Sequence, residues 1–376
     1  MKVLYIDNSQ WWGGAEECLK RYLHDQEATD WEVKVCAPYP SEHLVQYEID
    51  SEQFVYRNPK LAKWMPEAYV KAPKGLDRFN KIVRSRQLAR ILQSEKPDII
   101  YFNLLRFRDI WDIKQARKMG CKIVLHIRNL FHQAAYSKEL LDMADLVVGT
   151  SNIVCEQARN TGTTTKIIRI YDGLDSEITA SYDRELVRQQ LNIPKGSLIA
   201  LFPAVIEPRK GQDLAIEAFR LMASDYPHSL LVIAGGSNDS FKDYAKKLNE
   251  MLNDSPACVR LLGHQKDMNK LYSIADYVLA LSHDGEAYGL VPVEAGQYHL
   301  PVIATRAGAT PELVVDKETG FLVKPGNLQE VVEAVHLMHD EKLRNSMGEA
   351  AFKRVRTQFD LKEGLHQLRV AINDIL

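Results

Sequence analysis

The chain has 376 residues, 26% of them charged, with 48 Lys and Arg against 50 Asp and Glu for a formal net charge of −2. That length exceeds a typical single core and implies two domains of ordinary size, while a net charge so near zero removes any global reason to expect nucleic-acid binding. Five cysteines at positions 18, 36, 121, 155 and 258 form no C-x-x-C pair and no plausible zinc set with the 11 histidines, so they read as reduced packing residues and the setting as cytoplasmic.

The first residues pass straight into a strand with no signal-peptide pattern, and no apolar run approaches the length of a membrane span. Short β-rich runs then alternate with longer amphipathic stretches, the signature of an α/β fold with parallel sheets. In the first half the strand candidates are residues 3–8, 32–37, 53–56, 99–103, 123–127, 146–149 and 167–170. In the second half they are residues 198–205, 230–234, 259–262, 277–281, 302–305 and 320–323. Two such sets imply two doubly wound sheets. The polar segment 172–183 separates them and predicts the linker, with Asn192-Ile-Pro-Lys-Gly opening the second domain.

In the first βα turn, Gly13 and Gly14 let the backbone approach a bulky ligand and leave helix N–H groups for an anion, although the same pair suits any tight turn. The G-x-G-x-x-G spacing of a dinucleotide site is missing. Between Arg57 and Lys122 stand 17 Lys and Arg against 6 Asp and Glu. An excess of that size attracts anions, such as a phosphate-bearing acceptor or an anionic leaflet of a membrane, at on the order of 1 kcal/mol per nearby cation; it equally describes solvated helix faces. Trp64, Tyr69, Phe79, Phe107 and Trp111 lie among these charges, which suits interfacial anchoring or packing. His126 ends a strand just before Arg128 and Asn129, where a lone histidine is most simply a satisfied structural residue.

In the second half, Arg209 and Lys210 follow a strand and precede a glycine and a helix; arginine grips a diphosphate bidentately and lysine supplies a compact charge. Gly235 and Gly236 mark a tight turn after the next strand, and Gln265 lies in a loop after the one beyond. Residues 277–281 read as a buried strand and the apolar stretch around Pro292 as a helix from about Leu290. Glu286 then falls in the loop at the carboxyl end of a strand and Glu294 in the first turn of the helix, where an open α/β sheet binds ligands. The helix dipole favours a glutamate there whatever the function. Carboxylates accept from sugar or ribose hydroxyls, and the N–H groups of Gly289, Leu290 and Val291 suit a phosphate, so the loop fits a nucleotide-sugar.

Glu286 and Glu294, eight positions apart in Ser282-His-Asp-Gly-Glu-Ala-Tyr-Gly-Leu-Val-Pro-Val-Glu-Ala-Gly, resemble the EX7E motif of retaining glycosyltransferases of family GT4, which have the two-domain GT-B fold. The likeness continues through residues 296–314 and Gly320-Phe-Leu-Val-Lys-Pro-Gly, and is looser over the first half. It implies two doubly wound Rossmann-like domains facing a cleft, at residues 1–175 and 176–361, with Tyr171-Asp-Gly-Leu-Asp175 at the crossover and a last helix at about 362–376 returning to the first domain. It also implies a UDP- or GDP-linked sugar donor, a glycan, lipid-linked or small-molecule acceptor, and no cofactor. No D-x-D triplet is present to hold a metal, so metal-independent transfer is expected. Peripheral seating on the inner face of a membrane is a further option.

The resemblance carries roles for named residues. Arg209, Lys210 and the amides near Leu290 would stabilise the departing diphosphate, Glu286 would hold donor-sugar hydroxyls, and Glu294 the ribose. His126 would face the donor sugar, Gly14 the diphosphate and acceptor, Gly235 the nucleotide, Gln265 the base, and Arg128 and Asn129 the acceptor. In the family the acceptor hydroxyl attacks on the face that the diphosphate leaves, with retention. One position departs: many members carry an arginine five residues before the lysine, where this chain has Val205, and Arg209 can supply that cation from next door. Two other classes remain open, another GT-B enzyme such as a nucleotide-sugar epimerase or a phosphorylase, and a non-enzymatic two-domain sugar-binding protein. An epimerase needs no acceptor, and sugar-binding proteins of that kind are usually exported.

Overall fold

Uninterrupted apolar runs form the middle strands of both sheets, as expected where helices cover both faces. In a computed structural model describing residues 1–9, 12–25, 30–37, 42–57, 76–105, 109–131, 136–175, 182–237, 239–253 and 258–376, the chain divides into two units, Met1–Asp172 with Lys362–Leu376, and Gly173–Leu361. Gly173 and Leu174 run beside Phe359–Leu361 within the second unit, with Leu174 N–H donating to Phe359 O at 3.1 Å and Leu361 N–H to Leu174 O at 3.2 Å.

The first unit holds β1 (Lys2–Ile6), β2 (Glu32–Ala37), β3 (Phe54–Tyr56), β4 (Ile99–Phe102), β5 (Lys122–Ile127), β6 (Leu146–Gly149) and β7 (Ile167–Arg169). They form one parallel sheet in the order β3-β2-β1-β4-β5-β6-β7. From Lys362 on, the helix Leu361–Asn373 belongs to this unit; it buries Leu365, Leu368, Ala371 and Ile372, pairs Arg369 with Asp25, and is followed by Asp374 paired with Lys166.

The second unit holds β8 (Leu198–Pro203), β9 (Ser229–Ala234), β10 (Val259–Gly263), β11 (Tyr277–Ala280), β12 (Val302–Thr305) and β13 (Gly320–Val323), parallel in the order β10-β9-β8-β11-β12-β13. Alternation along each strand divides its core in two: Ala200, Phe202, Leu231 and Ile233 pack on one face, Ile199, Leu201, Leu230 and Val232 on the other. Helix starts follow side-chain caps, with Ser151, Asp183, Asn327 and Asp340 each accepting from the N–H three residues on. The expected strands appear within a few residues of their ends. Residues 176–181 of the expected linker lie outside the described residues. No described helix is long and apolar enough to cross a membrane.

Candidate functional site

In both sheets the strand order reverses at a central pair, β1 with β4 and β8 with β11, so the loops leaving their carboxyl ends diverge and open a crevice. After β8, a short turn (Pro208–Lys210) carries Arg209 and Lys210 and ends at Gly211. Gly211 has φ +78°, and a Cβ there would lie 2.6 Å from Leu281 O, so only glycine lets the loops after β8 and β11 close up. Arg209 Nη1 is then 2.9 Å, and Lys210 Nζ 2.7 Å, from Glu286 Oε1, to which Ser282 Oγ also donates at 2.6 Å. The Glu286 backbone is pinned by Gly308, where a Cβ would sit 2.3 Å from Glu286 O, and by Ala309 N–H at 2.8 Å.

Burial pushes the Glu286 carboxyl up, but Lys210 and Arg209 outweigh it and hold the group below the ordinary carboxylate range. All three bonds fall on Oε1, and among the described residues Oε2 takes none. The site is therefore a fixed carboxylate with one open oxygen beside two cations whose remaining N–H groups can meet an anion.

Glu294 lies in the first turn of the helix Val291–Gln297, with Pro292 near its start as expected. Its Oε2 accepts from Tyr272 OH at 2.7 Å, and Tyr272 stacks on Tyr298 with centroids 5.5 Å apart. The N–H groups of Gly289, Leu290 and Val291 find no acceptor among the described residues. Gly235 serves packing: a Cβ there would lie 1.8 Å from Ala204 O. Gln265 turns its amide back to Leu262 O at 2.8 Å.

In the first unit, Gly14 opens the exposed start of the helix Gly14–Leu23, whose Glu16 is buried against Ser9 Oγ. His126 has no exposed surface; it is the penultimate residue of β5, with Nδ1 2.7 Å from Tyr101 OH and 3.2 Å from Arg128 Nη2. Asn129 lies beside Tyr136.

Two expectations need correction. Arg128, expected to meet the acceptor, has a buried guanidinium already engaged by Asp172, by Asn103 O at 2.9 Å and by His126. The basic stretch from Arg57 to Lys122 is not simply a surface: Arg57 and Arg84 are buried and bind Asp112 Oδ2 at 2.7 and 2.6 Å, with Arg84 also on Asp109 at 2.7 Å. Much of the rest, including Trp64, Tyr69 and Phe107, lies outside the described residues.

The chain matches two family descriptions, Glycosyltransferase Family 4 over residues 12–178 and Glycosyl transferases group 1 over residues 183–354. Taken together, the two matches span most of the chain, which belongs to the GT4-type glycosyltransferase family. It is 26% identical over 239 residues to the N-acetyl-alpha-D-glucosaminyl L-malate synthase of Bacillus anthracis, covering 63% of this chain and 61% of that protein. It is 32% identical over 267 residues to a D-inositol 3-phosphate glycosyltransferase of Corynebacterium aurimucosum, covering 65% and 62%. The matched stretches thus span less than two thirds of either relative. The fold matches Anabaena HepE in complex with UDP and glucose, at TM-score 0.81, 22% identity and full coverage of both chains. It also matches sucrose-phosphate synthase of Thermosynechococcus elongatus, at TM-score 0.80, 19% identity, and coverage of 100% of this chain and 98% of that one. Both likenesses show the fold, two parallel-sheet α/β domains.

Four residues escaped the sequence reading as site components: Ser282, Tyr272, Tyr101 and Asp172. Each is identified by a side-chain contact, and only Ser282 stands close in sequence to the group it holds.

Proposed function

We propose that this glycosyltransferase moves a sugar from a nucleotide-sugar, UDP- or GDP-linked, to a hydroxyl of a glycan, lipid-linked or small-molecule acceptor, with retention and without a metal. The observation that carries the proposal is the Glu286 carboxylate held on Oε1 by Arg209, Lys210 and Ser282 at the β8/β11 crevice. Glu286 Oε2 accepts a sugar hydroxyl, while Arg209, Lys210 and the N–H groups at Gly289, Leu290 and Val291 meet the diphosphate, where negative charge grows as it departs. Glu294, anchored by Tyr272, is the candidate for the ribose. Gly235 and Gln265 border the nucleotide through backbone rather than side chain, and Gly14 offers its helix start to ligand oxygens. His126 donates to a sugar oxygen, and Asn129 is the remaining acceptor candidate. These groups contribute by orientation and electrostatics; no carboxylate is assigned as a nucleophile.

The direct test incubates UDP- and GDP-sugars with an acceptor panel, with and without EDTA. Acceptor-dependent release of nucleoside diphosphate that survives chelation, with the donor's anomeric configuration kept in the product, is expected. Loss of activity on chelation, restored by Mn²⁺ or Mg²⁺, contradicts the metal-independent reading, and a free isomerised nucleotide-sugar made without acceptor points to an epimerase.

Peripheral contact with an anionic leaflet belongs to the same proposal, supported by the cation excess between Arg57 and Lys122, now reduced by the two buried arginines. Co-sedimentation with anionic vesicles should exceed that with neutral ones at low salt and fall at high salt, where screening shortens the Debye length below about 8 Å. Equal, negligible binding throughout would direct the acceptor search to soluble molecules.

A further inference from the structure

A guanidinium carries only hydrogens, so Arg128 Nη2 donates wherever it makes a bond. The atom 3.2 Å from it is His126 Nδ1, which must therefore present its lone pair. Tyr101 OH, 2.7 Å from the same nitrogen, then donates as well. The opposite tautomer would set N–H against N–H and leave the Tyr101 proton without an acceptor among the described residues. The imidazole proton accordingly sits on Nε2, which is buried and has no partner among the described residues. A charged imidazolium is disfavoured at this spot too: burial first, then the adjacent guanidinium, hold His126 well below its ordinary range.

Arg128 is itself fixed on several sides. Asp172 takes Nη1, and Asn103 receives Nε on its carbonyl at 2.9 Å and on its side-chain oxygen at 3.2 Å. Tyr22 lies under the guanidinium, 5.5 Å from ring centroid to Arg128 Cζ, and donates to Asp172 Oδ1 at 2.9 Å. Both charged side chains are almost fully buried, at 4% and 5% exposure, so the pair's orientation is set by the interior and not by solvent.

We propose that Arg128, Asp172 and Tyr101 are positioning residues that lock His126 as a neutral Nε2–H donor, with that N–H kept for an oxygen of the bound ligand. A buried donor without a partner is costly, and a ligand oxygen reaching the ring would satisfy it. The ligand half of the inference rests on the reading of His126 as a sugar-facing residue; the tautomer half does not.

The test uses the full chain labelled with ¹⁵N-histidine, the His126 signals being assigned by their loss in His126→Gln. Couplings between ring nitrogens and carbon-bound protons should show the proton on Nε2 in the ligand-free protein, with no titration through neutral pH. The double variant Arg128→Met/Asp172→Asn removes both charges together, so neither is left buried alone. In it His126 should populate both tautomers or titrate nearer its ordinary range, and transfer from the nucleotide-sugar selected by the donor panel should fall at least tenfold. A wild-type His126 that is protonated on Nδ1 overturns the inference without any variant having to fold. A double variant with unchanged tautomer and unchanged transfer overturns it as well. If the tautomer is as assigned but His126→Gln transfers sugar at the wild-type rate, the ligand half falls and the tautomer half stands.

Discussion

Glu286→Ala should reduce sugar transfer roughly ten- to a hundredfold while the protein remains folded, and Lys210→Ala should do the same. Losing one partner of a charged hydrogen bond costs about 1.5 to 3 kcal/mol, and each 1.36 kcal/mol is about tenfold in rate. Glu286 sits where two cations converge at 2.9 and 2.7 Å, so its removal also frees Arg209 and Lys210 from the geometry in which they would meet a phosphate. The two effects are coupled through one carboxylate oxygen, so the double variant Glu286→Ala/Lys210→Ala should lose less than the product of the single losses. Steady-state rates with saturating acceptor decide the matter. Wild-type turnover in both single variants would mean that the β8/β11 crevice is not where the reaction is held.

Asp112→Ala should be among the most destabilising single changes in the first unit. Asp112 Oδ2 takes Arg57 Nη1 and Arg84 Nη2, and the side chains involved are at most 6% exposed. The cluster ties together the residue after β3, the helix Leu76–Glu95 and the helix Ile110–Lys118. Removing the carboxylate leaves two guanidinium groups buried without their shared anion, Arg84 keeping Asp109 and Arg57 only the neighbouring Cys36 thiol among the described residues. Breaking a buried pair in this way costs about 3–5 kcal/mol, a large part of the roughly 5–15 kcal/mol that holds an ordinary domain folded. For a unit of this size that corresponds to a fall of roughly 6 to 20 °C in the midpoint of thermal unfolding. Asp112→Ala melting within a degree or two of wild type would show that the network is replaceable, and Arg57 and Arg84 would return to the count of free surface charge.

What the sequence disclosed depended on how local each feature is. The strands were legible because a parallel sheet covered on both faces needs continuous runs such as Ile99–Phe102 and Val302–Thr305, and nothing distant is required to recognise them. The loop carrying Glu286 was legible for the same reason: strand, loop and Pro-marked helix follow one another within twenty residues. Lys210 and Arg209 could be named as cations at the end of β8, but their convergence on one glutamate oxygen joins positions separated by 76 and 77 residues. Arg128 was misassigned because its partner Asp172 is 44 residues away, and an arginine beside an asparagine at a strand end looks like an exposed pair. The cation excess was misleading in a related way. A count of charges cannot show that Arg57 and Arg84 turn inward onto Asp112, at separations of 55 and 28 residues. Tyr272 stayed hidden because its helix carries no sign of the Glu294 carboxylate it meets 22 residues on.

The central claim is that a nucleotide-sugar is held by Glu286, Lys210 and their neighbours, and thermal-shift titration of UDP-, GDP- and ADP-sugars against wild type, Glu286→Ala and Lys210→Ala tests it most directly. A ligand present at 100 times its dissociation constant stabilises the folded state by about 2.7 kcal/mol, enough for a clear rise in melting temperature. The account predicts that sugars linked to one nucleotide raise the wild-type midpoint and raise that of either variant far less. No shift with any nucleotide-sugar, or an equal shift in all three proteins, would contradict it.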